Sequence, residues 1–201
     1  MIKSNNLNVS QDGREFRDSI ISGNIADMTN CRFYNCDFID ASTDSANFSN
    51  SVFHDCTFKN TNLQNTNMTK TGIYNCHFYK TNLENACLQE TSIRHSTFND
   101  NTTLSNIDLA AARFDSVYFR NVIVDVVPRN LDSLYITMGG ATHSEVENHR
   151  RAIMAALNRG EGTTTNIKTS IADRIAEAKL KADERNVAAP AASKKQKEFE
   201  I

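Results

Sequence analysis

Large apolar residues recur at every fifth position through the middle of this chain. Fourteen of the fifteen positions are large and apolar, Thr43 being the exception, and the residue two places earlier is always Ala, Cys, Ser or Thr. The fifteen positions are Met28, Phe33, Phe38, Thr43, Phe48, Phe53, Phe58, Leu63, Met68, Ile73, Phe78, Leu83, Leu88, Ile93 and Phe98. Helices repeat apolar residues every three or four positions and half-buried strands every second one. A strict period of five fits neither element and predicts a solenoid, in which each unit forms one side of a four-sided coil.

Four units of five residues complete one turn of about 20 residues, so each side recurs one turn later. Successive turns stack at about 4.8 Å through main-chain hydrogen bonds, and the inward side chains form columns. The predicted core comprises Phe33, Phe38, Phe48, Phe53, Phe58, Leu63, Phe78, Leu83, Phe98, Phe114 and Phe119. Cys36, Cys56 and Cys76 fall one turn apart. We interpret them as small apolar fillers, because parallel side chains do not converge as a disulfide requires.

The register slips by one residue after Phe98. The later centres are Leu104, Leu109, Phe114, Phe119 and Val124, and the extra residue lies in NDNTT (99–103). We expect a bulge at one corner of the coil to absorb it. The coiled region, assigned to 26–127, then makes roughly five turns at the strand spacing.

Four segments carry a resemblance to a known family. ADMTN (26–30), ANFSN (46–50), TNLQN (61–65) and TNLEN (81–85) match the consensus A(D/N)LXX of the pentapeptide-repeat family, which this chain resembles over about half its length. The resemblance implies an all-β fold, a right-handed quadrilateral β-helix, and it implies no catalytic residues. It also implies that the C-terminal end is a place where some members dimerise.

The two flanks of the repeat are predicted to cover the ends of the solenoid, because uncovered sheet edges invite aggregation. Residues 1–25 form the expected N-terminal cap, with the apolar residues Leu7, Val9, Phe16, Ile20 and Ile21. Residues 128–160 form the expected C-terminal cap. A helix should begin there with a capping box of Ser144 and Glu147 and end at Gly160.

Two interpretations stay open for the apolar segment 117–136: an intramolecular cap or a homodimer contact. After it, residues 161–201 are expected to hold a second α-helix, from Ser170 to about Asn186, and a flexible tail rich in Ala and Lys.

The sequence gives little sign of catalytic or metal chemistry. The five cysteines include no CxxC pair, and the five histidines, His54, His77, His95, His143 and His149, lack metal-ligand spacing. Nucleophile and phosphate-loop motifs are missing. We therefore expect no enzyme activity, no cofactor and no metal. The formal charge of −2 and the lack of long apolar runs predict a cytoplasmic protein that binds neither membrane nor nucleic acid directly.

Two neighbouring sides of the predicted coil carry exposed aromatic and basic residues. One side presents Tyr34, His54, Tyr74 and Arg94, and the next presents Ile39, Lys59 and Tyr79. Aromatic residues and arginine often anchor interfaces, which makes these seven residues the candidate partner-binding surface. A chance scatter of surface residues explains them equally well.

Three functions are compatible with the sequence. The first, which needs the fewest assumptions, is a rigid scaffold for a protein partner. The second follows from the family resemblance: a DNA-mimicking, gyrase-binding protein of the fluoroquinolone-resistance type, although the repeat acids scatter over all four sides. The third is a bacterial effector exported to a host cell, for which the polar N-terminus is the sole indication.

Overall fold

The structure, a computed structural model, describes residues 2–4 and 10–158. It contains sixteen short strands, one 3₁₀ helix and one α-helix. The strands are β1 (Ile2–Ser4), β2 (Gln11–Asp12), β3 (Glu15–Arg17), β4 (Ser19–Asn24), β5 (Met28–Thr29), β6 (Arg32–Tyr34), β7 (Asp37–Ser42), β8 (Val52–His54), β9 (Thr57–Lys59), β10 (Gly72–Tyr74), β11 (His77–Tyr79), β12 (Ser92–Arg94), β13 (Thr97–Asn99), β14 (Arg113–Asp115), β15 (Tyr118–Phe119) and β16 (Tyr135–Thr137). The 3₁₀ helix is Leu131–Ser133 and α1 is His143–Leu157. The predicted helix 170–186, the tail, Leu7 and Val9 lie outside the described residues.

All the strands pair in parallel, each with the strand one coil away. Two seven-stranded sheets result: β3-β6-β8-β10-β12-β14-β16, which we call face one, and β1-β4-β7-β9-β11-β13-β15, which we call face two. Phe53 pairs with Phe33 below it and Ile73 above it, a separation of twenty residues. The fold is thus the predicted parallel β-solenoid, with about six turns and a C-terminal helix.

The other two sides of the coil are held by isolated bridges and, at the N-terminal end of face four, by the two-stranded sheet β2-β5. Face three follows Ser42, Asn62, Asn82, Thr103 and Ile123, and face four follows Asn47, Asn67, Cys87, Asp108 and Arg129. Face three lies opposite face one, because the chain visits the faces in the order one, two, three, four.

Each regular corner of the coil places one residue in the left-handed region of backbone space. The φ angle is 59° at Asn50, 52° at Asn60 and 54° at Asn75, and the same sign recurs at five-residue steps. Asparagine tolerates this conformation better than other residues with a Cβ. The frequent Asn two positions after each centre is therefore explained by the corners.

The predicted core residues are buried, and all eleven are at most 5% exposed. The small inward residues bond to main-chain carbonyls of the coil before. The hydroxyl of Thr61 donates to the carbonyl of Phe38 at 3.0 Å, and the thiol of Cys56 donates to that of Phe33 at 3.5 Å. Ser, Thr and Cys thus fill the same place because each is small and can donate a hydrogen bond there. All five cysteines are free thiols.

The N-terminal flank departs from the prediction. Residues 11–24 do not form a separate cap but continue the solenoid, since Phe16 pairs with Phe33 and Ile21 with Phe38. These pairs are 17 residues apart rather than 20, so the five-residue period cannot reveal the coil. The ring of Phe16 stacks on Phe33 at 4.9 Å, which extends the core by one more coil.

The C-terminal coils absorb extra residues at their corners. At the predicted bulge both Asp100 and Asn101 are left-handed, and Asn82 bridges to Thr103, a step of 21. One coil later Phe114 pairs with Ile136, a step of 22, so β16 adds a strand beyond the predicted end at residue 127.

The helix α1 packs against this end of the coil, where Ile153, Ala156 and Leu157 are buried in the common core. Its capping box is Thr142 with Glu145, not Ser144 with Glu147 as predicted. The helix begins at His143, one residue after Thr142, so the two reciprocal hydrogen bonds of the capping box lie two residues earlier than predicted. Within segment 117–136, the buried apolar side chains include Val117, Phe119, Val122, Val124, Leu131 and Leu134. The chain itself covers these residues, and homodimer formation stays a prediction.

Candidate partner-binding faces

Four of the seven candidate residues stand in one column on face one. Tyr34, His54, Tyr74 and Arg94 occupy the last position of four consecutive strands and are directly paired with one another. A parallel sheet in exact twenty-residue register repeats the same outward position on every strand, so the column follows from the period. The structure adds Arg17 below Tyr34, and Asp115 above Arg94.

The side chains of this column touch one another. The guanidinium of Arg17 lies 4.2 Å from the ring centroid of Tyr34, within cation–π distance. The His54 ring is 6.2 Å from the rings of both Tyr34 and Tyr74. Arg17, Tyr34, His54 and Tyr74 therefore form one continuous row, which we call the aromatic row.

A glycine makes room for one member of the aromatic row. Gly72 stands two residues before Tyr74 on the same strand, and a Cβ added to it would lie 2.7 Å from Cε2 of the tyrosine ring. Such a contact is too short for any side chain, so glycine permits the ring to lie flat across β10. The Tyr74 ring thereby covers the sheet as a half-buried aromatic surface.

A hydrogen-bonded group holds His54 in place. Nδ1 of His54 lies 2.7 Å from Oδ2 of the corner residue Asp55, whose Oδ1 accepts a bond from the amide of Asn75 in the next coil. Partial burial works against ionisation of Asp55, but the bonds from Asn75 and His54 outweigh it and hold its pKa below the usual range. The anionic carboxylate fixes the orientation of the imidazole in the aromatic row.

The other three candidate residues lie on face two, around the corner from the aromatic row. Ile39, Lys59 and Tyr79 are paired in one column, with Ile39 and Tyr79 half-buried and Lys59 exposed. The rings of His77 and Tyr79 are 6.2 Å apart. The seven candidates are thus brought together as two adjoining columns rather than one flat patch.

Sequence reasoning missed several residues of face one. Arg17 and Arg32 precede or begin the regular coils, whereas Arg113, Asp115 and Tyr135 follow the register slip. Their outward positions become visible only when the spacing is read as 17, 21 and 22 residues. The signal was the continuation of apolar centres at Phe16, Phe114 and Ile136 with altered spacing.

Charged residues are distributed unevenly between the two opposite faces, face one and face three. Face one carries four arginines and two acids: Arg17, Arg32, Arg94, Arg113, Glu15 and Asp115. The outward residues of face three include Asp44, Glu84 and Asp125 and no basic residue. The sequence indicated acidic residues scattered over all four faces. In the structure, face one is basic and face three is mildly acidic.

Within residues 2–4 and 10–158, no group of three or more His, Cys, Asp or Glu side chains could hold a metal ion. The α-helix in this part of the chain lacks the length and apolarity needed to cross a membrane.

Comparison with known proteins agrees with the repeat. A model of the pentapeptide repeats family matches residues 31–69 in eight copies. No curated protein sequence matches the chain. Among solved structures, a pentapeptide repeat protein from the cyanobacterium Cyanothece 51142 is 16% identical with a TM-score of 0.34, covering 57% of this chain and 90% of its own.

Two further solved structures are similar at lower scores. QnrB1, a plasmid-mediated fluoroquinolone resistance protein, is 13% identical with a TM-score of 0.28 and covers 76% of this chain and 100% of its own. HetL, a protein involved in heterocyst differentiation regulation from the cyanobacterium Nostoc, is 10% identical with a TM-score of 0.25 and covers 68% of this chain and 83% of its own. The repeat copies coincide with the five-residue period and with the coils of the solenoid, and residues 31–69 of the chain consist of pentapeptide repeats.

Proposed function

We propose that this protein is a non-enzymatic scaffold that presents face one of a rigid solenoid to a protein partner. The observation that carries the proposal is the aromatic row, Arg17, Tyr34, His54 and Tyr74, in which each ring contacts the next across successive strands. Tyrosine supplies a large contact area with few rotatable bonds, and arginine supplies several hydrogen-bond donors. Both residues are therefore suited to the centre of an interface. The sheet beneath holds them in fixed register, so a partner meets a surface ordered in advance.

The filled interior supports a scaffold rather than an enzyme. The inward centres are almost completely buried, and their aromatic rings stack from coil to coil with centroids 4.5 to 5.3 Å apart in the columns of Phe33 and Phe58. Active sites need a concave pocket where polar groups converge. In this solenoid, the polar inward groups are instead used in hydrogen bonds to the main chain.

DNA mimicry, the second hypothesis, receives less support from the charges. Duplex DNA carries about one negative charge per 1.7 Å of axis, or about eleven over the roughly 19 Å between the coils of Asp44 and Asp125. Face three offers Asp44, Glu84 and Asp125 over that length. Face one is basic. A gyrase supercoiling assay in the presence of a fluoroquinolone tests this alternative directly, and protection by micromolar protein would favour it over the scaffold.

The scaffold proposal is tested by affinity capture followed by reconstitution. Immobilised wild-type protein is compared with a Tyr34→Ser, Tyr74→Ser variant, and the captured protein is then purified and its binding measured. We expect the variant to bind that partner at least tenfold more weakly. The matched control is Gln64→Ser with Glu84→Ser, which changes two half-buried residues on face three.

Circular dichroism must show that both variants stay folded. Equal binding by wild type and the Tyr34→Ser, Tyr74→Ser variant would contradict the assignment of face one. Turnover of a substrate by the purified protein, abolished by a point mutation, would contradict the scaffold itself.

A further inference from the structure

An open groove crosses the C-terminal end of face one. Its volume is 280 Å³, and it is lined by three adjacent strands, β12, β14 and β16. The lining residues are Ser92, Arg94, Arg113, Asp115, Tyr135 and Thr137. They belong to the two outward columns of face one, so the groove continues the surface that holds the aromatic row.

The groove carries positive charge that is not neutralised within the described residues. Arg94 and Arg113 are both exposed, and neither has a carboxylate within 4.0 Å in residues 10–158. Asp115 is the acid of the lining, but its Oδ1 accepts bonds from the amide of Gly139 at 3.1 Å and the hydroxyl of Ser116 at 3.2 Å. These bonds hold its carboxylate at the rim of the groove without removing its charge, so two guanidinium groups against one carboxylate leave the lining with a net charge of +1.

The spacing of the two arginines suits an extended peptide. Arg113 pairs with Ser92 and Arg94 pairs with Asp115, so the arginines stand diagonally across two strands. Strand geometry places their Cα atoms roughly 8 Å apart, and alternate side chains of an extended peptide are roughly 6.6 Å apart. Long, flexible arginine side chains easily cover the difference. Carboxylates at alternate positions of a peptide can therefore meet one guanidinium each.

An exposed aromatic residue flanks the charged pair. Tyr135 is 63% exposed, and its ring lies 5.9 Å from the guanidinium carbon of Arg113. The hydroxyls of Ser92 and Thr137 lie on the same lining and can bond to a peptide main chain. The groove thus combines charge, an aromatic surface and hydrogen-bonding groups within one short stretch of sheet.

We propose that this groove binds an extended acidic segment of a partner protein, with carboxylates at alternate positions on Arg94 and Arg113. The inference rests on the proposed scaffold function and names the chemistry of the partner. A nucleic acid fits less well, because its affinity comes from many phosphate contacts and the other arginines of face one, Arg17 and Arg32, lie at the opposite end of the sheet.

The test measures binding of short probes to the full chain by fluorescence anisotropy. The probe is a fluorescein-labelled octapeptide of alternating glutamate and serine, and its neutral match has glutamine in place of glutamate. An eight-residue oligothymidylate represents nucleic acid. We expect the glutamate peptide to bind and the glutamine peptide to bind at least tenfold more weakly, with the difference shrinking as salt is raised.

Variants locate the site. Arg94→Gln with Arg113→Gln should weaken binding of the glutamate peptide roughly tenfold or more, because two charge-assisted bonds are lost. Arg94→Lys with Arg113→Lys keeps the charge and should retain part of the affinity. The control Lys70→Gln with Lys80→Gln removes the same charge from two corners outside the groove and should bind as wild type does.

Three results would each overturn the inference: no binding of the glutamate peptide, equal binding by the Arg94→Gln, Arg113→Gln variant, or tighter binding of the oligothymidylate than of the peptide. These outcomes are distinct from failure of the scaffold proposal. If any of these results is found while binding of a partner still depends on Tyr34 and Tyr74, the scaffold proposal stands and only the proposed binding of an acidic segment is contradicted.

Discussion

The ring of Phe58 stacks on the ring of Phe78 one coil later, with centroids 4.6 Å apart and parallel planes. The column continues to Phe38 on one side, at 4.6 Å, and to Phe98 on the other, at 4.5 Å from Phe78. Exact twenty-residue pairing of parallel strands imposes this alignment, because identical positions superpose at every turn. The interior of the solenoid is thus a set of aligned columns of side chains. Removing one ring therefore disturbs the packing of the coils on both sides of it.

Removing a central ring should destabilise the protein strongly. Phe58 is completely buried between two stacked rings, so Phe58→Ala leaves a cavity that neighbouring strands cannot close without breaking register. We expect the free energy of unfolding to fall by about 3–5 kcal/mol in urea denaturation. Lys59→Ala, one residue later and exposed, should change it by about 0.5 kcal/mol or less. Similar losses for the two variants would contradict the predicted core.

A corner alanine offers a site for stabilisation. Ala111 has φ 54°, a conformation that costs a residue with a Cβ about 1 kcal/mol and costs glycine little. We expect Ala111→Gly to raise the free energy of unfolding by a few tenths to about 1 kcal/mol. Ala110→Gly, at the preceding residue without positive φ, should lower it by about 0.5–1 kcal/mol. An equal loss of stability in both variants would contradict the left-handed backbone conformation of Ala111.

The stability of the coil should fall in acid through Asp108. Burial opposes its ionisation, but bonds from Asn130 at 2.7 Å and Gln89 at 2.8 Å, with Arg129 nearby, hold its pKa below the usual range. A lowered folded pKa stabilises the protein above the unfolded value of about 3.9. That stabilisation is lost as pH falls through the folded pKa.

Urea denaturation of wild type and Asp108→Asn between about pH 6 and pH 3 checks this prediction. Asparagine can still accept from the amide of Ala110, as Asn67 does from the amide of Thr69 two coils earlier. The variant should therefore fold, with lower stability at pH 6 and a smaller loss on acidification. Parallel pH profiles for the two proteins would show that Asp108 is not the group responsible.

Thiol reactivity should distinguish the inward cysteines from the outward one. Cys31, Cys36, Cys56 and Cys76 are buried and Cys87 is half-exposed. Hydrogen bonding with Cys56 and burial both raise the pKa of the Cys36 thiol, which lowers its reactivity further. With a chromogenic disulfide reagent we expect one equivalent to react in the native protein and five after denaturation.

Cys87→Ser provides the control for this measurement. The variant should show no rapid native-state reaction, while four thiols still react after unfolding. Rapid reaction of several thiols in the folded wild type would mean that the interior is open to solvent, contrary to the packing described.

The regular coils were predictable from sequence because their packing is local and repetitive. Phe33, Phe53 and Phe78 are inward for the same reason, since each lies at the centre of a five-residue unit and follows a small residue two positions earlier. The Asn-rich corners follow as well, because asparagine accepts positive φ at a lower cost than most other residue types with a Cβ. Tyr34, His54 and Tyr74 could be placed in one outward column by the same counting.

The coils at both ends were not predictable in this way. Phe16 and Ile136 occupy face-one centres, yet they lie 17 and 22 residues from their partners. The lengths of these turns depend on corner bulges and on contacts with neighbouring coils, which leave no period in the chain. For this reason the predicted N-terminal cap was wrong for residues 11–24. The capping box of α1 was misplaced by two residues because Thr142 with Glu145 and Ser144 with Glu147 show the same local pattern.

The sequence by itself determined the shape of the coil, its filled interior and the residue types at its corners, because these depend on interactions repeated at every turn. Only the tertiary structure decided how many coils are added at the ends and which side chains meet on face one. Arg94 and Arg113 come together there through a 21-residue step across a corner bulge, and Tyr135 joins them through a 22-residue step. Such neighbours are set by pairing between coils of unequal length, which a five-residue period by itself does not specify.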